Sequence, residues 1–226
     1  MNKKLFFFLF FIFAFTELIW AETLHSVEPY CEGKQDQTKI TDLDKIKIKN
    51  VEVEIFKNKQ FTTNSIRILI GNFRFIPDIY KKWFKSNVIV RYENDLKCTY
   101  TARVKFHGDQ KDHVILKDNS IAQSIDVHLR TGNIYGITKF ILLLKDTRGQ
   151  LDDVILLSEL LRQFNYLAPR TMFVEAKING VSSQMIFQEK AVKELLEYNS
   201  RREGPILEGD ERYLWRLAQK TPSNQL

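Results

Sequence analysis

Four common enzyme signatures are missing from this chain. It has no Gly-x-Ser-x-Gly, no His-Glu-x-x-His, no Walker phosphate loop and no complete dinucleotide fingerprint. Those absences remove the most readable hydrolase, metalloprotease and nucleotide-binding classes. Glycine is scarce at nine residues and proline scarcer at five, which argues against a linker-rich or low-complexity chain. No internal repeat is evident. The longest unbroken apolar run, Leu5–Phe15, has eleven residues, too short to span a bilayer and right for the core of a secretory signal. Lys3 and Lys4 supply its positive flank. Ala21 is a plausible cleavage point, although Ile19 stands where a small residue is usual; an uncleaved anchor is the alternative. A membrane contact is expected only through that segment, if it is retained.

Two cysteines, Cys31 and Cys98, both lie in the exported part. In an oxidising compartment they either form one disulfide or remain two thiols, since spacing alone does not show that they meet. The charge balance is 34 Lys and Arg against 28 Asp and Glu, a formal +6. Without residues 1–21 it is 32 against 27, or +5. The excess is mild and spread out. Lys45, Lys47 and Lys49 alternate with Ile46 and Ile48, as on a solvated strand face. Arg74, Lys81, Lys82 and Lys85 lie among Phe73, Phe75, Tyr80, Trp83 and Phe84. Export disfavours nucleic acid as a partner for that group and suits an acidic envelope surface better. Tyr80, Trp83 and Phe84 also suit a carbohydrate-binding surface.

Along the chain, alternation predicts strands over Lys45–Phe56, Ser65–Phe75 and Asn87–Tyr92, with a short helix over Asp78–Lys85. Asn94-Asp95 predicts a hairpin turn into Cys98–Tyr100. Ala102–Phe106 and Ser124–Arg130 read as strands around a loop at Gly108–Asn119. Thr131-Gly132-Asn133 turns into an apolar strand over Ile134–Leu144. Leu151, Val154, Ile155, Leu157, Leu160, Leu161 and Phe164 recur at helical spacing and predict one buried helix face, ended by Pro169. Asn179-Gly180 predicts a two-residue hairpin between Met172–Ile178 and Val181–Phe187. Residues 1–21 are expected to be a signal peptide, 22–96 a β-rich region and 97–226 a second unit of order β-loop-β-β-α-β-β.

Leu167-Ala168-Pro169-Arg170-Thr171, Phe173-Val174-Glu175, Asn179-Gly180 and Gln188-Glu189-Lys190 come in an order that resembles the spore coat protein H (CotH) kinase family. Upstream, Ala102-Arg103-Val104-Lys105-Phe106-His107-Gly108-Asp109 is similar to another segment of that family. The resemblance covers roughly Tyr100–Leu207. It implies an α+β fold, with an antiparallel β-rich N-terminal region followed by a kinase N-lobe-like sheet, one packing helix and short C-terminal helices. It also implies ATP-dependent phosphotransfer, with magnesium, to a secreted or surface protein, if a catalytic lobe completes it. The strand Ala122–Leu129 carries Gln123, Asp126 and His128 where the family tends to carry basic residues. Hence the alternative is a non-catalytic envelope or surface assembly protein.

The residues implied for nucleotide binding are Lys105, His107, Gly108, Asp109, Arg130, Glu159 and Glu189. Gly108 lets backbone approach a ligand, so His107–Asp109 with Lys111-Asp112-His113 reads as a phosphate loop, a metal loop or a plain polar turn. Glu159 would orient Lys105 or Arg130, or else pair along its own helix with Arg162 or Gln163. Arg170, fixed by Pro169, reads as structural, paired bidentately with Glu175 or Glu189. Glu189-Lys190 would offer backbone to an adenine edge.

Overall fold

The computed structural model describes residues 29–32, 47–147 and 151–207. Its organising element is a closed seven-stranded barrel, predominantly β, held together by one parallel pairing between strands more than a hundred residues apart. The strands are β1 (Tyr30–Glu32), β2 (Ile48–Ile55), β3 (Phe84–Tyr92), β4 (Lys97–Phe106), β5 (Val114–Lys117), β6 (Ser120–Gln123), β7 (Ile125–Leu129), β8 (Lys139–Leu144), β9 (Thr171–Ile178) and β10 (Val181–Glu189). Three helices accompany them among the described residues: α1 (Asn58–Ile70), α2 (Leu151–Gln163) and α3 (Lys193–Tyr198). Around the barrel the order is β4-β3-β2-β9-β10-β8-β7, and β7 returns to β4. Every pairing is antiparallel except β2 with β9, so the barrel is mixed. Closure leaves no free edge along those seven strands.

Alternation in each strand decides which side chains fill the interior. Val51, Val53, Val88, Val90, Tyr100, Val104, Ile125, Val127, Phe140, Leu142, Val174, Met185 and Phe187 point inward and are buried. The barrel is therefore a packed core rather than a lumen. At the end where β2 and β4 finish, α1 inserts Phe61, which stacks on Phe106 at 4.4 Å and meets Phe84 edge-on at 5.3 Å. Such ring pairs contribute on the order of 1 kcal/mol beyond the area they bury.

The barrel corrects the expected kinase-like architecture. There is no N-lobe sheet with one packing helix over its face. β2 lies beside β9, and β3 beside β4, so strands from 22–96 and 97–226 form one wall. The expected division at 96/97 falls in the turn between β3 and β4. Order along the chain cannot show this, because partners more than a hundred residues apart are chosen by packing.

Two local expectations also change. Ser65–Phe75 was expected to be a strand from Ile66, Ile68 and Ile70. Instead 58–70 is a helix, whose Phe61, Ser65 and Ile68 are buried at helical spacing while Ile66 and Ile70 are exposed. The expected helix at 151–164 does form over Leu151–Gln163, but Leu156, Leu157, Leu160 and the following Phe164 are exposed. Asp78–Tyr80 is a single 3-10 turn, and β3 begins at Phe84. The Asn179-Gly180 hairpin is present, with φ of 47° and 90° at the two turn residues, the left-handed pair that such a turn requires.

Cys31 and Cys98 are directly opposite in the β1–β4 pair and form a disulfide. It closes a 67-residue separation, worth about 4 kcal/mol in the loop-entropy account. A disulfide of this kind fits an oxidising, exported environment.

Candidate anion-binding wall of the barrel

The outward positions of β4, β7 and β8 are unusually one-sided in charge. They carry Lys97, Arg103, Lys105 and Lys139, against Asp126 on the same strands and Glu32 of β1, which pairs with Lys97 at 3.4 Å. The register aligns several of these in a single row. Lys85 of β3 is opposite Arg103, Arg103 is opposite His128 of β7, and His128 is opposite Lys139 of β8. Lys190, just past β10, continues the row, its amide donating to the Lys139 carbonyl at 3.0 Å. Like charges directly opposite one another destabilise a sheet. Strand spacing of about 4.8 Å gives this row a length of about 19 Å.

The outward face of β2, β9 and the far end of β3 shows the contrast. There Glu52 of β2 accepts from Arg91 at 3.1 Å and pairs with Lys177 at 3.0 Å, neutralising both neighbouring strands. Hydrogen bonding to Lys177 holds its carboxyl below the ordinary range, against the opposing effect of burial, with Arg91 adding to the shift.

On the cationic wall, Asp126 neutralises only the lower rim. Its Oδ1 accepts from Lys190 Nζ at 2.7 Å and lies 3.2 Å from His107 Nδ1, while Lys105 Nζ is 3.6 Å from Oδ2. Burial alone would raise this carboxyl. The bond and charge of His107, with Lys190, outweigh burial and push it far below the usual carboxylate range. Arg103 has no such partner among the described residues. Its Nη2 is 3.3 Å from His128 Nδ1, and its Nε is buried without a hydrogen-bond partner. Burial, and then the nearby charge of Arg130, hold the guanidinium below its ordinary value. His128 is pushed down to about 4, first by burial and then by Arg103, with Lys190 and Lys139 acting the same way and Asp126 opposing. It is therefore neutral at physiological pH.

Trp83, at the entry to β3, lies against this row. The Arg103 guanidinium carbon is 4.4 Å from its ring centroid, Lys105 Nζ is 5.1 Å away, and the His128 ring is 4.4 Å away. Yet Trp83 keeps 37% of its surface exposed. Of the aromatic group suggested for carbohydrate, Phe84 is buried in the core and Tyr80 packs against it, so Trp83 is the member that faces the wall.

The structure brings only some of the residues implied for nucleotide binding together. Lys105 and His107 surround Asp126, and Arg130 flanks Arg103. Asp109 pairs with Lys81 instead. Gly108 has φ of +83°, and a Cβ there would stand 1.8 Å from the His113 ring, so the glycine makes room for an imidazole. Among the described residues no group of three or more His, Cys, Asp or Glu is placed to hold a metal ion. Glu159 pairs along its own helix, with Arg162 at 2.9 Å and Gln163 at 2.9 Å.

Glu189 points inward and is bound in a structural cluster. Arg170 Nε donates to its Oε2 at 2.8 Å and Nη2 to its Oε1 at 2.9 Å, and the Tyr198 ring stacks 3.8 Å from the guanidinium. Glu175, the other candidate partner, is exposed on β9. The amides expected to meet adenine are already used: Glu189 N–H donates to the Arg170 carbonyl and Lys190 N–H to that of Lys139.

The sequence alone marks Lys105, His107 and Arg130 but does not mark Arg103, His128, Lys139 and Lys190 as a set. The alternation Arg103, Lys105, His107 along one strand was the readable signal. The pairing of β4 with β7, and of β7 with β8, was needed to assemble the row. In comparisons with known proteins, no family model matches this chain and no curated protein matches it.

Proposed function

We propose that this is an exported, non-catalytic binding protein of the envelope or cell surface, which holds an anionic partner on the outer wall of its barrel. The observation that carries the reading is Arg103: a half-buried arginine with no carboxylate partner among the described residues, beside a second arginine and a neutral imidazole. A cation in that state gains from an anion that completes its hydrogen bonds. The disulfide supports export, and the filled barrel interior directs attention to the outer surface.

The test is thermal unfolding of the purified protein with an acidic polymer, with tripolyphosphate and with MgATP, at low and high salt. At a hundred times its dissociation constant, a bound anion stabilises by about 2.7 kcal/mol, several degrees for a chain of this size. The expected result is a shift with anions that high salt removes and that Arg103→Ala weakens. No shift with any anion contradicts the binding reading. A shift specific to MgATP, accompanied by phosphate transfer to a protein, would favour instead the phosphotransfer that the CotH resemblance implies.

A further inference from the structure

The row and Trp83 have a geometry that a single small anion does not use. Lys85, Arg103, His128, Lys139 and Lys190 follow one another across five neighbouring strand positions, over about 19 Å. A phosphate or carboxylate meets only one or two of them. The row crosses five of the seven strands and so curves around the barrel. A flexible polymer with charges repeating along its length meets several of its members in turn, and each further contact is then made within one complex. Inorganic chains would leave Trp83 unexplained. Its ring is set against Arg103, Lys105 and His128 but remains partly open to solvent. An open indole beside cations suits a ligand with an apolar face and an acidic edge. Sugar rings bearing carboxylates or sulfates have both.

Building on the binding reading above, we infer that the row and Trp83 together form a track for a linear acidic polysaccharide. Arg103 takes an acidic group at the outer edge of its guanidinium, since its Nε is covered. Lys85 and Lys139 take the flanking groups as point charges, and Trp83 stacks on a sugar face. Lys190 contributes less, since it is already bonded to Asp126 at 2.7 Å. Near Lys139, Glu194 is bonded to Thr138 rather than to the lysine; although burial opposes its ionisation, that bond, its own backbone and the Lys139 charge hold its carboxyl below the ordinary range.

The experiment is calorimetric titration of the whole protein with polygalacturonate, its disaccharide, inorganic polyphosphate and neutral dextran. Polygalacturonate is expected to bind at least about tenfold tighter per acidic group than the disaccharide, and dextran not at all. Lys85→Gln and Lys139→Gln, on outward positions that leave the core intact, are each expected to weaken polygalacturonate several-fold. Trp83→Ala is expected to weaken polygalacturonate about tenfold and polyphosphate little. Equal loss on both polymers overturns the stacking role and with it the polysaccharide. Binding of polyphosphate without polygalacturonate overturns the polysaccharide but leaves the anion-binding wall standing. Failure of every anion to bind removes both.

Discussion

Arg170 and Glu189 show what a buried ion pair needs to be stable. Both are almost wholly covered, and each hydrogen-bonding group of the fork is used. Removing one partner leaves the other charge stranded, which costs about 3–5 kcal/mol in comparable sites. Arg170→Met should lower the free energy of urea unfolding by that amount, whereas Arg170→Met with Glu189→Leu should lower it by less than the two single changes together. The bidentate pair was readable from Pro169 fixing Arg170, though the choice between Glu175 and Glu189 was not. That choice depends on strand parity, which places Glu189 inward at the end of β10 and Glu175 outward on β9.

His128 makes a second residue-scale expectation. Its folded value of about 4 lies below the ordinary value near 6.5. Between those values the unfolded chain binds a proton that the folded chain does not, so stability falls as pH drops from about 6.5 to 4. Above pH 6.5 the group contributes no slope. Asp126, shifted down, contributes stability above the ordinary carboxylate range that is lost only at lower pH. The melting temperature should therefore fall between pH 6.5 and 4, and His128→Gln should flatten that part of the profile. A bound polyanion beside Arg103, Lys139 and Lys190 should raise the His128 titration, read from its imidazole resonances. An unchanged midpoint would argue that anions bind elsewhere.

Among the elements, the β9–β10 hairpin does more than its dipeptide suggests. Asn179 was recognisable as a turn residue, but its side chain also accepts from Ile55 N–H at 2.8 Å and donates to Asn58 Oδ1 at 2.9 Å. One residue thus ties the turn to the end of β2 and the start of α1. Asn179→Gly keeps the left-handed backbone and removes both bonds, so a loss of about 1–2 kcal/mol in chemical unfolding is expected. A neutral result would mean that the turn conformation is all that matters there. Helix α1 illustrates why element type was misread. Three isoleucines at alternate positions mimic a strand, while the buried set Phe61, Ser65 and Ile68 contains a serine that hydropathy does not flag. Ser65 Oγ satisfies itself by donating to the Phe61 carbonyl at 3.1 Å.

At the scale of the molecule, most strands were visible as alternating runs, but the closure was not. A parallel contact between β2 and β9 and an antiparallel one between β4 and β7 turn a series of hairpins into a barrel. The first joins residues 125 apart and the second skips over the β5–β6 hairpin, so neither follows from a turn between successive strands. They also set the cationic row, which exists only once β4, β7 and β8 are neighbours. Fragment 97–226 would lack β2 and β3, exposing an edge on both β4 and β9. It should show no cooperative unfolding by circular dichroism, and a cooperative transition would mean that the two regions are separable after all.

The most direct test is to record amide and side-chain resonances of the isotope-labelled protein while adding polygalacturonate. Changes concentrated on Trp83, Lys85, Arg103, Lys105, His128 and Lys139, with the wall around Glu52 unmoved, are expected. Changes centred on the Glu52 wall or on α2, with the row silent, would contradict the assignment of function to this face of the barrel.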